Sequence, residues 1–147
     1  MTRVRVLFLN GPNANLYGLD AKGTYGRESF ADIAARCHRA AAARSVLLDF
    51  RQSQDEGELI GWIHAVRGSQ EGLIINGAGL SYRSVALRDA LATFLGPLIE
   101  VHMSNIHRRE SFRHRTLISS VAAGGLCGLG PHGYVLAIKR MARMLRA

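Results

Sequence analysis

The sequence predicts an α/β fold built on an open, parallel five-stranded sheet. Short apolar runs alternate with longer helix-like segments, the pattern of parallel strands joined by crossover helices. Three apolar runs end in polar clusters: Asn-Gly-Pro-Asn at 10–13, Asn-Gly-Ala-Gly at 76–79 and His-Met-Ser-Asn at 102–105. Ligands of such sheets bind beyond the carboxyl ends of the strands, where the strand order reverses. The clusters therefore predict one small-molecule site.

The elements follow one another in regular order along the chain. The predicted strands are 4–9, 46–50, 73–75, 99–102 and 125–127, and the predicted helices are 29–44, 56–66, 84–94 and 131–145. Ser29 suits a helix N-cap, and Pro131 suits a first helical turn. Five strands and four helices match a flavodoxin-like sheet of order 2-1-3-4-5. That order brings together the two turns at the strand ends, here called elbows, at 10–13 with Asn13 and at 76–79 with Asn76.

Length and composition indicate a single globular domain over residues 1–147. Hydrophobic residues make up 48% and charged residues 20% of the chain, an ordinary globular balance. No apolar run approaches the roughly 20 residues needed to cross a bilayer. No cleavage-type segment follows the amino terminus, so we expect a cytoplasmic protein with no membrane partner.

The charge balance points to an anionic small molecule rather than to nucleic acid. The formal net charge is +8, but most of the arginines are scattered along the chain. The densest cluster directly follows the strand that ends at His102 and contains Arg108, Arg109, Arg113 and Arg115. Positive charge at that place attracts an anionic substrate, and we expect no nucleic-acid partner.

No cofactor and no metal are expected. The sequence has no Gly-x-Gly-x-x-Gly after the first strand, no Walker lysine and no His-Glu-x-x-His, so motifs for dinucleotides, nucleotides and zinc are missing. Cys37 and Cys127 are too few and too far apart for a disulfide framework or a metal knuckle, and are expected to be buried thiols. The chemistry favoured is a cofactor-free lyase or isomerase acting on a small polyhydroxylated acid.

Two residues suit acid–base chemistry at the predicted site. His102 ends a strand, where an imidazole is either a satisfied strand-end side chain or a proton donor. Glu100 shares its strand face and either orients the ring or is unrelated. Tyr25 lies in a long connection, 16–28, of the length typical of lids. It is either a packing residue or a base whose anion needs a cation, and Lys22 is the nearest in sequence.

Further candidates for ligand contacts lie at the strand ends. Asn13 and Asn76 are either turn formers or hydrogen-bonding groups. Arg113 is either surface charge or a donor fork for hydroxyls or a carboxylate. The backbone amides of residues 104–106 are also placed to hold a carboxylate.

Motifs from the first strand to the last helix resemble those of type II 3-dehydroquinate dehydratases. They include Asn-Gly-Pro-Asn at 10–13, Tyr-Gly at 25–26, Arg-Gln-Ser at 51–53, Ser-Val-Ala-Leu-Arg-Asp-Ala-Leu at 84–91, Glu-Val-His-x-Ser-Asn at 100–105 and Phe-Arg-His at 112–114. The resemblance implies a flavodoxin-like subunit of a dodecamer, assembled as a tetramer of trimers. It implies anti-elimination of water from 3-dehydroquinate through an enolate, giving 3-dehydroshikimate.

The same resemblance implies roles for nine residues. The catalytic ones are Tyr25 as the base that removes the C2 proton, His102 as the general acid for the C1 hydroxyl, and Asn13 as its helper. The substrate-binding ones are Asn76 and Arg113 at ring hydroxyls, Ser104 and Ile106 at the carboxylate, Tyr82 in the ring-binding wall, and Asp89 from a neighbouring subunit.

Three departures from the family pattern leave the exact activity open. Asp20 stands where the family has a lid arginine that stabilises the tyrosinate, and Tyr82 replaces a ring-binding histidine. Gln54 and Asp55 stand where the family has Asn-His. One hypothesis is a dehydroquinate dehydratase in which Lys22 supplies the cation. The alternatives are a divergent paralogue with weakened activity or a related cyclic hydroxy-acid as substrate, and a non-catalytic binding or scaffold protein.

Overall fold

The sheet has the predicted parallel topology. The computed structural model describes residues 2–20, 22–69 and 71–147. Its strands are β1 (Val4–Asn10), β2 (Val46–Gln52), β3 (Gly72–Asn76), β4 (Leu98–His102) and β5 (Gly124–Cys127). They are ordered β2-β1-β3-β4-β5, which confirms the flavodoxin-like arrangement. The chain reverses its direction of winding between β1 and β3, so their carboxyl ends form the switch point.

Helices cover both faces of the sheet. They are α1 (Phe30–Ala42), α2 (Glu56–Val66), α3 (Val85–Ala92) and α4 (Pro131–Arg146), within two residues of the predicted bounds. As predicted, Ser29 caps α1 by accepting the Asp32 N–H, and Pro131 begins α4. Alternate residues of each strand pack against α1 and α4 on one face and against α2 and α3 on the other. No helix in the described part of the chain is long and apolar enough to cross a membrane.

Strand register brings the polar strand ends to one edge. Asn10 of β1 pairs with Gln52 of β2 on one side and with Asn76 of β3 on the other. β4 lies next to β3, and His102 is its last residue. Residues that are far apart in sequence therefore meet at a single place, as the strand order predicts.

A buried hydrogen-bond network ties this edge to α4. The Tyr134 hydroxyl donates to Asn10 Oδ1 over 2.7 Å. Asn76 Nδ2 donates to the hydroxyl oxygens of Tyr134 and Tyr17, each over 2.7 Å. Burial raises the pKa of Tyr17 to about 12, so both partners of Asn76 are neutral hydroxyls at pH 7. A satisfied polar network of this kind specifies one arrangement of the elements it joins.

We expect Tyr134→Phe to lower the free energy of unfolding by about 1–3 kcal/mol, because it leaves buried groups of Asn10 and Asn76 without a partner. Urea unfolding measures this change. Tyr25→Phe is the control, since it removes a hydroxyl from a half-buried side chain at the site rather than from the core, and a much smaller loss is expected. Equal losses for the two variants would contradict the proposed stabilising role of the network.

Candidate active site

A cavity of about 130 Å³ opens at the carboxyl ends of β1, β3 and β4. Most of the predicted site residues line it: Asn13, Tyr25, Asn76, Tyr82, His102, Ser104 and Arg113. Its other lining residues are Pro12, Tyr17, Ala78, Gly79, Met103 and Arg109. No carboxylate among the described residues lines it, while two guanidinium groups do. The cavity therefore suits a small anion.

Two predicted residues lie away from this cavity. The side chain of Ile106 is buried, and Ile106 lines a neighbouring cavity of about 450 Å³ together with Glu100 and His102. Asp89 is exposed on α3, where its carboxylate pairs with Arg88 over 3.1 Å. Within one chain, neither side chain contributes to the wall of the smaller cavity.

His102 is held by a buried carboxylate. Its Nε2 lies 2.7 Å from Glu100 Oε2, and Ser119 Oγ donates to Glu100 Oε1 over 2.6 Å. Burial opposes ionisation of Glu100, but hydrogen bonds from His102, Ser119 and Thr116 outweigh it and lower the pKa of Glu100. The carboxylate thus fixes the orientation of the His102 ring. Nδ1 is the nitrogen left for a ligand.

The lowered pKa of Glu100 predicts how stability depends on pH. A carboxyl group whose folded-state pKa is depressed stabilises the fold above its unfolded pKa, about 4.3, and loses that contribution as pH falls through the folded value. We therefore expect Glu100→Gln to be less stable than wild type at pH 7, with the difference narrowing in acid. Urea unfolding at a series of pH values tests this, and a constant difference would contradict it.

The cation at the Tyr25 hydroxyl is Arg109. Arg109 Nη1 donates to the Tyr25 oxygen and to Ser104 Oγ, each over 3.0 Å. Its guanidinium carbon lies 5.3 Å from the centre of the Tyr25 ring. The Tyr17 ring also packs against the Tyr25 ring, and their centroids are 4.9 Å apart. A cation at this distance stabilises a phenolate. Arg109 therefore takes the place that the sequence suggested for Lys22.

Asp20 makes its hydrogen bonds within the loop that carries Tyr25, and it does not line the cavity. Its carboxylate accepts the backbone N–H groups of Lys22 and Thr24, each over 2.9 Å. These hydrogen bonds lower the pKa of Asp20, so the side chain is an anion at neutral pH. Asp20 organises a local turn, so its carboxylate is directed to its own loop and not to the Tyr25 hydroxyl five positions later.

Tyr82 and Arg113 form one wall of the cavity with His102. The Tyr82 ring is stacked on the His102 ring, with centroids 6.1 Å apart and planes inclined by 29°. The Arg113 guanidinium lies 5.4 Å from the centre of the Tyr82 ring, and its Nε bonds to the Glu110 carboxylate. Burial raises the pKa of Tyr82, although Arg113 opposes the shift. Tyr82 therefore presents a neutral hydroxyl at pH 7.

The Asn76 carboxamide already makes three hydrogen bonds within the protein, which limits the hydrogen bonds that it can make to a ligand. Both Nδ2 hydrogens are used by Tyr17 and Tyr134, and Oδ1 accepts the Ala78 N–H over 3.0 Å. An amide oxygen has two acceptor positions, so one remains for a hydroxyl. The predicted role of Asn76 at ring hydroxyls is thus restricted to accepting a hydrogen bond.

Sequence reasoning missed Arg109 and Tyr17 as site residues. Arg109 belongs to the arginine cluster after β4, but nothing in that cluster distinguishes it from its neighbours. A short 3-10 helix, Ile106–Arg108, turns the chain so that Arg109 reaches back to Ser104. Tyr17 follows another such turn, Ala14–Leu16. A signal for both was their position immediately after short turns at the strand ends.

Comparisons with known proteins identify the family to which this sequence is similar. A family model described as Dehydroquinase class II matches residues 4–142. The 3-dehydroquinate dehydratase 2 of Pseudomonas putida is 48% identical over 96% of this chain and 95% of its own. That of Pseudomonas aeruginosa is 49% identical over 100% of this chain and 99% of its own. This similarity does not favour the divergent alternative.

A solved structure of a type II dehydroquinase also matches this chain. The type II dehydroquinase of Propionibacterium acnes superposes with a TM-score of 0.92 at 35% identity, covering 97% of this chain and 99% of its own. This structure thus shares the fold of the chain over nearly its whole length. The chain belongs to the class II dehydroquinase family.

Proposed function

We propose that this protein is a hydro-lyase that removes water from 3-dehydroquinate and gives 3-dehydroshikimate. The observation that carries the proposal is the arrangement of a phenol beside a guanidinium and an imidazole beside a carboxylate on the walls of one small cavity. An elimination of water needs a base for one proton and an acid for the departing hydroxyl. The names of the relatives support the substrate.

The first step is proton abstraction by Tyr25. The phenolate oxygen takes the C2 proton of the substrate, and the C–H electron pair moves into an enolate conjugated with the C3 carbonyl. Arg109 stabilises the phenolate before the step and remains close to the negative charge during it. Tyr25 ends this step as a neutral phenol.

The second step expels water. The enolate electrons form the C1–C2 double bond while the C1–O bond breaks, and His102 donates a proton from Nδ1 to the leaving hydroxyl. Glu100 stabilises the imidazolium beforehand through Nε2. Asn13 lines the same cavity and supplies a carboxamide to hold the leaving group. One proton is taken and one is given, so the reaction is balanced once Tyr25 and His102 exchange protons with solvent.

Substrate binding uses the remaining predicted residues. Ser104 Oγ accepts from Arg109, so its hydroxyl hydrogen is available to the substrate carboxylate, and the backbone N–H of Ile106 joins it. Asn76, Tyr82 and Arg113 contact ring hydroxyls. Asp89 is proposed to complete the site from a neighbouring subunit, in keeping with its exposure on α3.

Turnover of 3-dehydroquinate, followed by the absorbance of the conjugated enone product, tests the proposal. A substrate carrying deuterium stereospecifically at C2 distinguishes anti- from syn-elimination, since only one of the two epimers loses its label by an anti path. We expect loss of the label that the anti path requires. Absence of turnover at high enzyme concentration would overturn the proposed function.

Tyr82→Phe tests the contribution of the Tyr82 hydroxyl to binding. This variant keeps the ring stacked on His102 and removes only the hydroxyl. We expect KM to rise by about 3- to 10-fold with little change in kcat, since the lost contact is one ordinary hydrogen bond. Steady-state kinetics with 3-dehydroquinate measure both constants. A fall in kcat at constant KM would instead assign the hydroxyl to the chemical step.

We further propose a single-domain subunit, residues 1–147, that assembles in the cytoplasm into a dodecamer, a tetramer of trimers. The proposed contribution of Asp89 across a subunit boundary requires an oligomer. Cys37 is a buried free thiol, as predicted, whereas Cys127 is a free thiol that is only half-buried, contrary to the prediction. Two free thiols suit a reducing compartment. Light scattering coupled to size exclusion gives the assembly mass, and a monomer with full activity would contradict the shared site.

A further inference from the structure

The elbow that carries Asn13 has an unusual backbone. Asn13 has a φ of +72°, in the left-handed region, and directly precedes the short 3-10 helix Ala14–Leu16. Left-handed geometry is unfavourable for residues with a side chain, although asparagine tolerates it better than most. Asn13 itself is also exposed. Contacts from outside the elbow are therefore needed to select one conformation.

Two glutamine amides supply those contacts: Gln52 is the last residue of β2, and Gln54 lies two residues further on. Gln54 Oε1 accepts the backbone N–H of Asn13 over 2.7 Å, and Gln54 Nε2 donates to Asn15 Oδ1 over 2.8 Å. Gln52 Nε2 donates to Gln54 Oε1 over 3.1 Å and to the Gly11 carbonyl over 3.2 Å. The Gln54 amide thus binds the elbow on both sides of Ala14, and Gln52 fixes the Gln54 amide.

The parallel register explains why this contact forms. Asn10 pairs with Gln52, so the segments after β1 and β2 leave the sheet side by side. A further backbone bond, from Ser53 N–H to the Asn10 carbonyl over 3.0 Å, keeps them together. Gln54 therefore lies on a rigid support, since its backbone is held by the same sheet that holds the elbow.

We infer that Gln54 is a positioning residue for Asn13, which holds the elbow so that the Asn13 carboxamide faces the cavity lined by His102. The inference rests on the proposed function, in which Asn13 helps the departure of the hydroxyl. Gln54 itself does not line the cavity, so its effect on the reaction passes through Asn13. The side chain acts on backbone conformation and makes no contact with substrate.

Amide hydrogen exchange tests whether Gln54 holds the Asn13 elbow, without any assay of activity. We expect the Asn13 N–H to exchange about 3- to 10-fold faster in Gln54→Ala, the effect of losing one hydrogen bond. Gln54→Glu retains an acceptor oxygen and is expected to keep slow exchange. Glu58→Ala, which removes another exposed side chain on the first turn of α2, is the matched control and should leave this amide unchanged. An unchanged rate in Gln54→Ala would overturn the inference.

Kinetics of single and double variants test the link to catalysis. We expect Gln54→Ala to lower kcat by about 3- to 10-fold with KM within about twofold, because positioning of Asn13 matters when the hydroxyl leaves. In an Asn13→Ala background, the same change should have little further effect, since the two residues act as one unit. If the loss of kcat in the double variant equalled the product of the two single-variant losses, the inference would be overturned. If the wild type lacks turnover, the proposed function fails. The exchange rates of the Asn13 N–H still show whether Gln54 holds the elbow.

Discussion

Tyr25→Phe is expected to lower kcat by about 10²- to 10⁴-fold, the range typical of losing a positioned general base. The phenylalanine ring fills the same place beside Tyr17 and Arg109, so the shape of the site is preserved. Only the oxygen proposed to accept the C2 proton is removed. KM should change little, because that oxygen contributes to the transition state more than to substrate binding.

Steady-state kinetics with 3-dehydroquinate and urea unfolding of the same preparation give the result. Tyr17→Phe is the matched control, since it removes a neighbouring phenol oxygen that bonds to Asn76 rather than to Arg109. Tyr17→Phe is expected to reduce stability and to retain most of kcat. If Tyr25→Phe turned over substrate like wild type, the proton would have to leave by another base, and the mechanism would be wrong.

Arg109→Leu is expected to lower kcat by about 10²- to 10³-fold, as for loss of one preorganised electrostatic contact. Without the guanidinium, the Tyr25 oxygen loses its charged hydrogen-bond partner, and the enolate of the proposed mechanism loses a nearby positive charge. Arg109→Lys is expected to recover part of the loss, because it restores the charge without the planar guanidinium that lies near the Tyr25 ring.

Lys22→Ala separates the two candidate cations. The structure places Arg109 on the Tyr25 oxygen, while Lys22 lies exposed in the turn organised by Asp20. Lys22→Ala should therefore keep kcat within about twofold of wild type, as for a surface substitution. A loss as large as that of Arg109→Leu would show that Lys22 supplies the catalytic charge when substrate is bound.

Much of the fold follows from local patterns in the sequence. Apolar runs of strand length, separated by segments of helical periodicity, are sufficient to predict the elements and their order. Ser29 and Pro131 mark helix starts because capping depends on neighbouring residues alone. Only element ends differ: β2 continues to Gln52, two residues beyond the prediction, because β1 continues to pair with it.

The sequence by itself determined that the chain forms a parallel sheet with order 2-1-3-4-5, and that Asn13, Asn76 and His102 come together at its switch point. These conclusions need periodicity, a strand order common among doubly wound sheets, and the geometry of strand ends. The tertiary structure alone decided that Arg109 rather than Lys22 meets Tyr25, that Asp20 turns to its own loop, and that Gln54 holds the elbow. Such choices depend on side-chain directions and on contacts between residues up to 84 positions apart, which spacing along the chain does not specify.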